Sequence, residues 1–472
     1  MKKEVLLIIL ILVVAIISRF ILLDLRPLHN DEGVNYLFAK SILNSNQWTY
    51  DPLNYHGPFY FYILAVSFFI FGINEFSLRF PSAFFGVLTI ALVLLLCYKE
   101  ESFNKSGKYY AAILIVLSPS LMYFSRYSIH ETALILFSFL SVYFLTRILE
   151  KKKLKDLIFF SISLALALTT KETTIILLFA LFLIVLFNIN SIKKIKLDYK
   201  QILISVIVFI FIYTIFFTSI FTSPVGLINS FKSFMPWISH GVNGIGHEKP
   251  FYYFLLLIAR YELPILLLGI IGLYFSFKSK NIFYKNISIW FIVMFLVYSL
   301  IPYKTPWLVI NITLPLCLLS AVTIINIKKI INKKVFILLL VVLFTYLLCF
   351  SVYLNFINYY KDTNKYAYVH TDKAILDIVN QVNLNYKNDS KILIISEDYW
   401  PLPFYFNDKT VFYFSPNDFK IENYQNFTKE YDFIIVSESV FNEINNSYSN
   451  TNYIERNLNS NRIELYLIRA RD

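Results

Sequence analysis

The sequence is poor in charged residues. Asp, Glu, Lys and Arg make up 16% of its 472 residues, whereas 57% are hydrophobic. Soluble domains carry about 25% charged residues, so the composition excludes an ordinary soluble protein. Apolar runs long enough to cross about 30 Å of hydrocarbon recur through residues 1–356. The chain is therefore predicted to be a polytopic α-helical membrane protein.

Cysteine is also scarce. Cys97, Cys317 and Cys349 all lie in apolar runs, and none follows in the tail, which excludes a disulfide framework or a thiolate metal site. The net charge of +12 does not indicate a nucleic-acid partner, because the lysines cluster in short loops between apolar runs, as the positive-inside rule predicts. No glycine-rich nucleotide motif is present, so we expect no nucleotide cofactor.

Basic loops are expected on the cytoplasmic side, so an even number of spans must separate any two of them. This charge parity predicts about eleven spans, with the N-terminus in the cytoplasm and the C-terminus outside. The run 59–71 is too short to cross and is predicted to be an interfacial helix. The alternative, a true span, would place the lysine-rich loops outside. The predicted spans lie at about 5–23, 79–98, 109–125 and 132–149, then as two arms separated by Lys171-Glu172, then at 201–221, 251–277 and 287–301, after Trp307, and at 335–356. An outer loop is expected at about 222–250.

From residue 357 the composition changes to that of a water-soluble domain. Four buried strands are predicted at 391–397, 410–415, 431–438 and 463–469, and a helix at 372–386. The expected organisation is a transmembrane domain, 1–356, and a small extracytosolic α/β domain, 357–472. The aromatic loop 398–406, DYWPLPFYF, indicates a rigid segment that packs on or gates the membrane domain; simple core packing remains the alternative.

The same parity places several chemically active side chains on the outer side of the plasma membrane. Carboxylates there can take a proton from a hydroxyl or hold a divalent cation such as Mg²⁺ or Mn²⁺. Lysine and arginine can neutralise a phosphate at headgroup level. The candidates are Asp31, Glu32, His56, Arg126, Glu131, Lys171, Glu172 and Lys304.

Each candidate also has a structural interpretation. Asp31-Glu32 is typical of a solvated loop start, Arg126 of a snorkelling side chain, and His56 of a packed histidine. Lys171-Glu172 favours function more strongly, because charges inside a short apolar hairpin are costly.

The ordered motifs resemble those of GT-C glycosyltransferases that use polyprenyl- or dolichyl-phosphate sugars, such as protein O-mannosyltransferases and the aminoarabinose transferase of lipid A. An archaeal and bacterial branch associated with flippase activity is the most similar. The matching segments are LHNDE (28–32), YHGPFYFYIL (55–64), FGINEFSLRFPSAFFG (71–86), SPSLMYFSRYSIHETAL (118–134), LALTTKET (166–173), YKTPWLVINITLPL (303–316) and DYWPLPFYF (398–406).

This resemblance implies roles for individual residues. Asp31 corresponds to the catalytic base, with Glu32 beside it, and Glu131 to a second catalytic acid. A metal, if present, would fall on Asp31 and Glu131, although the family's Arg-Asn before the second acid is replaced here by Ile129-His130. Lys171 and Lys304 take the positions of the cations that bind the lipid phosphate, and His56 and Arg126 are further substrate-binding candidates.

The predicted function is transfer of a sugar from a polyprenyl-phosphate carrier to an acceptor hydroxyl on a glycan, lipid or protein at the outer leaflet, with inversion. The alternative is a lipid-linked oligosaccharide flippase, or a flippase partner, without catalysis.

Overall fold

A computed structural model of the chain describes residues 2–45, 48–53, 56–97, 103–151, 153–192, 198–244, 246–447, 453–457 and 464–469. Two compact units emerge. The first comprises Met1–Leu23 and Ser41–Ile357, and the second comprises Asp24–Lys40 and Asn358–Asp472. The segment 24–40, which the sequence-based division placed in the transmembrane domain, thus groups with the C-terminal residues.

The first unit is helical. Its helices are α1 (Lys2–Phe20), α3 (Pro58–Phe71), α4 (Glu75–Leu96), α5 (Asn104–Leu117), α6 (Pro119–Ser125), α7 (Glu131–Lys151), α8 (Leu154–Thr170), α9 (Thr174–Phe187), α10 (Ile189–Ile192), α11 (Tyr199–Phe217), α12 (Val225–Lys232), α13 (Phe234–Asn243), α14 (Tyr253–Lys278), α15 (Ile282–Leu300), α16 (Ile310–Ile327) and α17 (Lys333–Val352). Helix α2 (Asn30–Asn44) begins in the second unit and ends in the first.

All eleven predicted spans coincide with helices. Within the described ranges, seven helices are long and apolar enough to cross a membrane, which confirms a multi-pass membrane protein. The segment 59–71 forms α3, and its interfacial depth stays a prediction. Parts of the predicted inner segments 99–108 and 193–200, namely 99–102 and 193–197, lie outside the described residues.

Helix α16 is the centre of the helical unit. All of its residues from Ile310 to Ile325 are buried, and a helix that is apolar on every side belongs in the interior of a bundle. Helices α11 and α17 lie at the periphery, since only 11% and 22% of their apolar windows are buried. Their exposed leucine, isoleucine and valine side chains are suited to lipid.

Two features of the helical unit correct the sequence interpretation. The expected outer loop at 222–250 contains the two helices α12 and α13. The span predicted at 109–125 breaks at Ser118, where Pro119 starts α6. The carboxylate of Glu262, at the kink of α14, accepts hydrogen bonds from the Ser118 hydroxyl at 2.7 Å and the Ser120 N–H at 2.9 Å.

The second unit is the predicted small α/β domain. Its elements are α18 (Ile375–Asn385), β1 (Lys391–Ile395), α19 (Leu402–Tyr405), β2 (Thr410–Phe414), α20 (Tyr424–Glu430), β3 (Phe433–Ser437), α21 (Glu438–Ser447), β4 (Tyr453–Asn457) and β5 (Glu464–Arg469). The four predicted strands are confirmed as β1, β2, β3 and β5, whereas β4 was not predicted.

The strand order is β2-β1-β3-β5-β4, with β2, β1 and β3 parallel and β5 antiparallel to β3 and β4. Alternation along β1 sends Ile392 and Ile394 into one hydrophobic cluster and Leu393 and Ile395 into the other. The sheet therefore has a packed core on each face.

Candidate active site

Helix ends bring an acid and a base together in the first unit. Helix α7 begins at Glu131, and the turn 171–173 joins α8 to α9. The Thr174 hydroxyl closes this turn by donating to the carbonyls of Ala167 and Lys171, each at 2.7 Å. The Lys171 ammonium forms an ion pair with the Glu131 carboxylate, and both side chains are at least 95% buried. Two residues predicted from distant motifs therefore form one buried pair.

The neighbouring Glu172 contacts His56. A Glu172 carboxyl oxygen lies 3.3 Å from His56 Nδ1, and the other lies 3.5 Å from the Tyr50 hydroxyl. The separation is within ion-pair range, but burial raises the pKa of Glu172 to about 8. Burial, with Lys171 nearby, lowers the pKa of His56. Near neutral pH the two groups therefore form a neutral hydrogen-bonded pair.

Two further rings enclose His56. His130 meets it edge to face with a centroid distance of 4.8 Å, and Trp237 stacks on it, also at 4.8 Å. His130 Nε2 is buried and has no hydrogen-bond partner among the described residues. Burial and Lys171 lower the pKa of His130, so a neutral imidazole is held in an aromatic wall.

Gly57 allows His56 to reach Glu172. A Cβ atom at Gly57 would lie 2.3 Å from the Thr169 carbonyl oxygen at the end of α8. Such a contact would push the chain away, so only glycine permits this approach.

The turn containing Lys304 is a second buried basic site. The Lys304 ammonium donates to the carbonyls of Lys249, at 3.0 Å, and Ile301. Its residue is 1% exposed, and no carboxylate pairs with it in the described part of the chain. The preceding Tyr303 ring lies 6.4 Å from Trp237, which links this turn to the wall of His56. Burial lowers the pKa of Lys304.

Arg126 binds the backbone. Its guanidinium donates to the carbonyls of Ile21 and Leu22, each at 2.7 Å, and to those of Ser18 and Arg19, at 3.2 and 3.3 Å. These carbonyls belong to the end of α1, where intrahelical partners run out. Arg126 is therefore a helix-capping residue, neither a snorkelling side chain nor a cation aimed at solvent.

The acid pair lies at the start of α2 in the second unit. Glu32 is fully buried and accepts a hydrogen bond from the His29 N–H at 3.0 Å, as an acid three residues into a helix does in a capping box. Asp31 is partly buried, and its carboxylate has no hydrogen-bond or ion-pair partner among the residues described. Of the two acids, Asp31 is the one available to a substrate.

The described residues contain no group of three His, Cys, Asp or Glu side chains suited to a metal. The Glu131 carboxylate also faces the Lys171 ammonium, which disfavours a second cation there. The predicted pairing of Asp31 and Glu131 on Mg²⁺ or Mn²⁺ stays a prediction.

Of the predicted residues, the first unit unites His56, Glu131 and Lys171. Glu172, though noted in the sequence, was not assigned a role. His130, Tyr50 and Trp237 were missed as site residues. His130 stands next to Glu131 in one of the motifs, and this neighbourhood could have indicated it as a site residue. Nothing in the sequence indicates Trp237, which lies in a segment that was interpreted as a loop.

Comparison with known proteins supports the fold. Residues 55–217 match the family described as dolichyl-phosphate-mannose-protein mannosyltransferase. No curated protein matches the chain significantly.

Solved structures match over nearly the whole chain. ArnT from Cupriavidus metallidurans bound to undecaprenyl phosphate has a TM-score of 0.72 and 14% identity, covering 99% of this chain and 98% of that one. The apo state of the same protein matches with a TM-score of 0.70 and 13% identity, over the same shares of both chains. A third match is the oligosaccharyltransferase AglB from Archaeoglobus fulgidus, in complex with an inhibitory peptide and a dolichol-phosphate. Its TM-score is 0.58 and its identity 14%, and the match covers 92% of this chain and 69% of that one.

Proposed function

We propose that this chain is a membrane glycosyltransferase of the GT-C superfamily and that it uses a polyprenyl-phosphate sugar as donor. Its ordered motifs, its family match and its fold support this proposal. The acceptor is a hydroxyl of a glycan, lipid or protein. Two structural relatives were solved with undecaprenyl phosphate and with a dolichol-phosphate, which supports a lipid-phosphate donor here.

Lys304 is the observation that carries the donor proposal. The Lys304 ammonium donates to backbone carbonyls and has no compensating carboxylate among the described residues, and burying an ammonium without an anion is costly. A lipid phosphate would supply that anion and form charge-assisted hydrogen bonds. Lys171 can make the same contact, but it must share its ammonium with Glu131.

Asp31 is the proposed general base. It accepts the proton of the acceptor hydroxyl as the hydroxyl oxygen attacks the anomeric carbon of the donor. The bond from that carbon to the phosphate oxygen breaks, and the electron pair leaves with the lipid phosphate. Lys304 and Lys171 stabilise the charge that develops on the departing phosphate. Attack opposite the leaving group inverts the anomeric centre.

We place this reaction at the outer leaflet, with the N-terminus in the cytoplasm and the second unit outside, because the charge parity of the loops favours that orientation. The bilayer and the carrier lipid are then the partners of the first unit.

A flippase would need polar groups along the helices. The buried polar groups at the opposite end of α7, α8 and α15 are instead bonded to one another. Arg147 pairs with Asp156 at 3.2 Å, and Asn286 donates to Thr146 at 2.9 Å and accepts from Asn188 at 3.0 Å. Groups paired in this way hold neighbouring helices together, which favours the enzyme over the transporter.

The experiment that tests the proposal is transfer from a synthetic polyprenyl-phosphate sugar by the purified protein in lipid nanodiscs. Glycans from cells with and without the gene identify the acceptor and the sugar to be used. Release of the lipid phosphate together with a glycosylated acceptor is expected. Movement of the donor across vesicles without any transfer would establish the flippase instead.

A further inference from the structure

The start of the helix that carries Asp31 contacts residues from the far end of the chain. Helix α2 follows the first membrane helix in sequence, yet its first eleven residues belong to the second unit. Its contacts include Tyr368 and the segment 398–407, which consists of the aromatic motif 398–406, with the short helix α19, and Asn407. The proposed reaction leaves this motif without a role.

The closest contact is between Gly33 and the loop. A Cβ atom at Gly33 would lie 3.0 Å from the Trp400 ring and 3.1 Å from the Pro401 side chain. The absence of a side chain at Gly33 therefore lets the backbone of α2 lie directly on this pair. Gly33 is two residues from Asp31, so the loop touches the same helical turn.

Hydrogen bonds fix the start of the helix. The Asp31 N–H donates to His29 Nδ1 at 3.0 Å, so Nδ1 is an acceptor and the ring proton is on Nε2. His29 Nε2 then donates to the Tyr368 carbonyl at 2.7 Å. One histidine thus caps α2 and ties it to residue 368.

A second bond is made one residue earlier. The Leu28 N–H donates to the Tyr405 hydroxyl at 3.0 Å. Further along α2, the Tyr36 ring meets Phe404 edge to face at 5.2 Å, and the Lys40 ammonium donates to the Asn407 carbonyl at 3.1 Å. The loop therefore contacts α2 over three turns.

We infer that the 398–407 loop, through Tyr405 and Trp400, positions Asp31 for catalysis, so that the C-terminal unit is part of the catalytic apparatus. The inference rests on the proposed role of Asp31 as base. A general base must hold its oxygen within hydrogen-bond reach of the acceptor hydroxyl, and a misplacement of about 1 Å can cost about 100-fold in rate. The loop touches α2 and not the reacting atoms, so these are positioning residues.

Tyr405→Phe is the sharpest test, because it keeps the ring and removes the hydroxyl that accepts the Leu28 N–H. Trp400→Ala removes the surface against Gly33. Phe427→Leu is the matched control, since Phe427 is equally half-buried but packs on the other face of the sheet. Each variant is measured in the full-length protein for kcat, donor binding and thermal stability.

We expect Tyr405→Phe and Trp400→Ala to lower kcat by about 10- to 100-fold with donor binding unchanged. Phe427→Leu should lower the melting temperature comparably and leave kcat within about twofold. Loss of kcat in all three variants in proportion to stability would overturn the inference, because it would indicate a purely structural loop.

A double-mutant cycle separates this inference from the proposed function. If Tyr405 acts through Asp31, the double variant Asp31→Asn with Tyr405→Phe should be no slower than Asp31→Asn alone. If the rate losses of the two single variants multiply in the double variant, the positioning role of Tyr405 is contradicted, whereas the role of Asp31 as base is not. Near-normal turnover in Asp31→Asn would instead contradict the proposed base itself. Should Trp400→Ala fail to fold, Tyr405→Phe alone still decides.

Discussion

Arg19 and Arg126 join the end of α1 to α5 and α6. Arg19, in the last turn of α1, donates to the carbonyls of Ile115 and Val116 at the end of α5, at 2.8 and 2.9 Å. Arg126, just beyond α6, donates to the carbonyls of Ile21 and Leu22, just beyond α1. Each guanidinium thus satisfies acceptors that a helix leaves unpaired, and the two exchanges lock three helices together.

Arg126→Ala is expected to destabilise the protein without affecting donor affinity. Removing the guanidinium leaves several carbonyls unpaired, and hydrogen bonds to charged groups contribute about 1.5–3 kcal/mol each. A loss of about 3 kcal/mol or more would appear as a lower melting temperature in nanodiscs. Arg260→Ala, at an exposed arginine of α14, is the control. Weaker donor binding with unchanged stability would return Arg126 to the substrate site.

Lys304→Ala should weaken binding of the polyprenyl-phosphate donor by at least about 10-fold, because charge-assisted contacts to phosphate contribute about 1.5–3 kcal/mol. Lys171→Ala should behave similarly but also free the Glu131 carboxylate. Equilibrium binding of a fluorescent donor measures both. Lys278→Ala, at an exposed lysine that ends α14, should bind normally. Unaltered affinity in both test variants would remove them from the site.

Asp31→Asn should lower transfer by about 10²–10⁴-fold, the usual contribution of a general base, while donor binding survives. Glu32→Gln should cost far less, because glutamine keeps the oxygen that accepts the His29 N–H. Single-turnover rates with saturating donor check both. Equal losses of transfer rate in the two variants would indicate that transfer depends on the structure at the start of α2 and not on the Asp31 carboxylate as a base.

Glu172 predicts a pH dependence of stability. Its pKa rises from 4.5 to about 8 on folding, so the folded state holds a proton that the unfolded state releases, and stability falls as pH rises through this range. His56 and His130, whose pKa values are lowered, act in the opposite direction, mainly at and below about pH 6.5. Between pH 6.5 and 8 the Glu172 effect alone amounts to about 2 kcal/mol, of which the histidines offset a part.

Glu172→Gln should therefore flatten the melting temperature between pH 6.5 and 8, since glutamine stays neutral throughout. Thermal denaturation of both proteins across this interval is the measurement. An equally steep decline in the variant would assign the dependence to another group.

Topology predicts that residue Asp472 faces outward. A reporter that is active only in the cytoplasm should be silent when fused there and active when fused at the N-terminus. Activity of the C-terminal fusion would overturn the charge-parity assignment and with it the outer-leaflet placement of the reaction.

The helices and most strands were predictable because their signals are local. A run such as 79–98 or 391–397 is marked by hydrophobicity and residue type alone. β4 was missed because a single edge strand, YIERN, alternates poorly. The helices α12 and α13 were missed because glycine, proline and serine in 222–250 suggested a loop, although their apolar residues recur at helical spacing.

Individual site residues were harder to predict than their neighbourhood. The sequence indicated that Glu131 and Lys171 belong to one site, since both interrupt apolar runs on the same predicted side. It could not show that they neutralise each other, nor that Arg126 binds backbone carbonyls, because both depend on packing between elements far apart in sequence. Glu32 was expected to be catalytic; its position three residues into α2 gives it a capping bond, which the sequence did not indicate, and its catalytic role stays a prediction.

The order of synthesis makes the support of Asp31 form late, long after α2 itself has been made. Leu28 and its partner Tyr405 are 377 residues apart. At 5–20 residues per second, the ribosome needs roughly 20–75 seconds to make that stretch, during which α2 has neither Tyr405 nor Tyr368 to bind. A chain that stops before residue 358 would contain all the predicted spans yet lack these partners of α2. The inferred positioning of Asp31 therefore predicts that incomplete copies transfer sugar poorly.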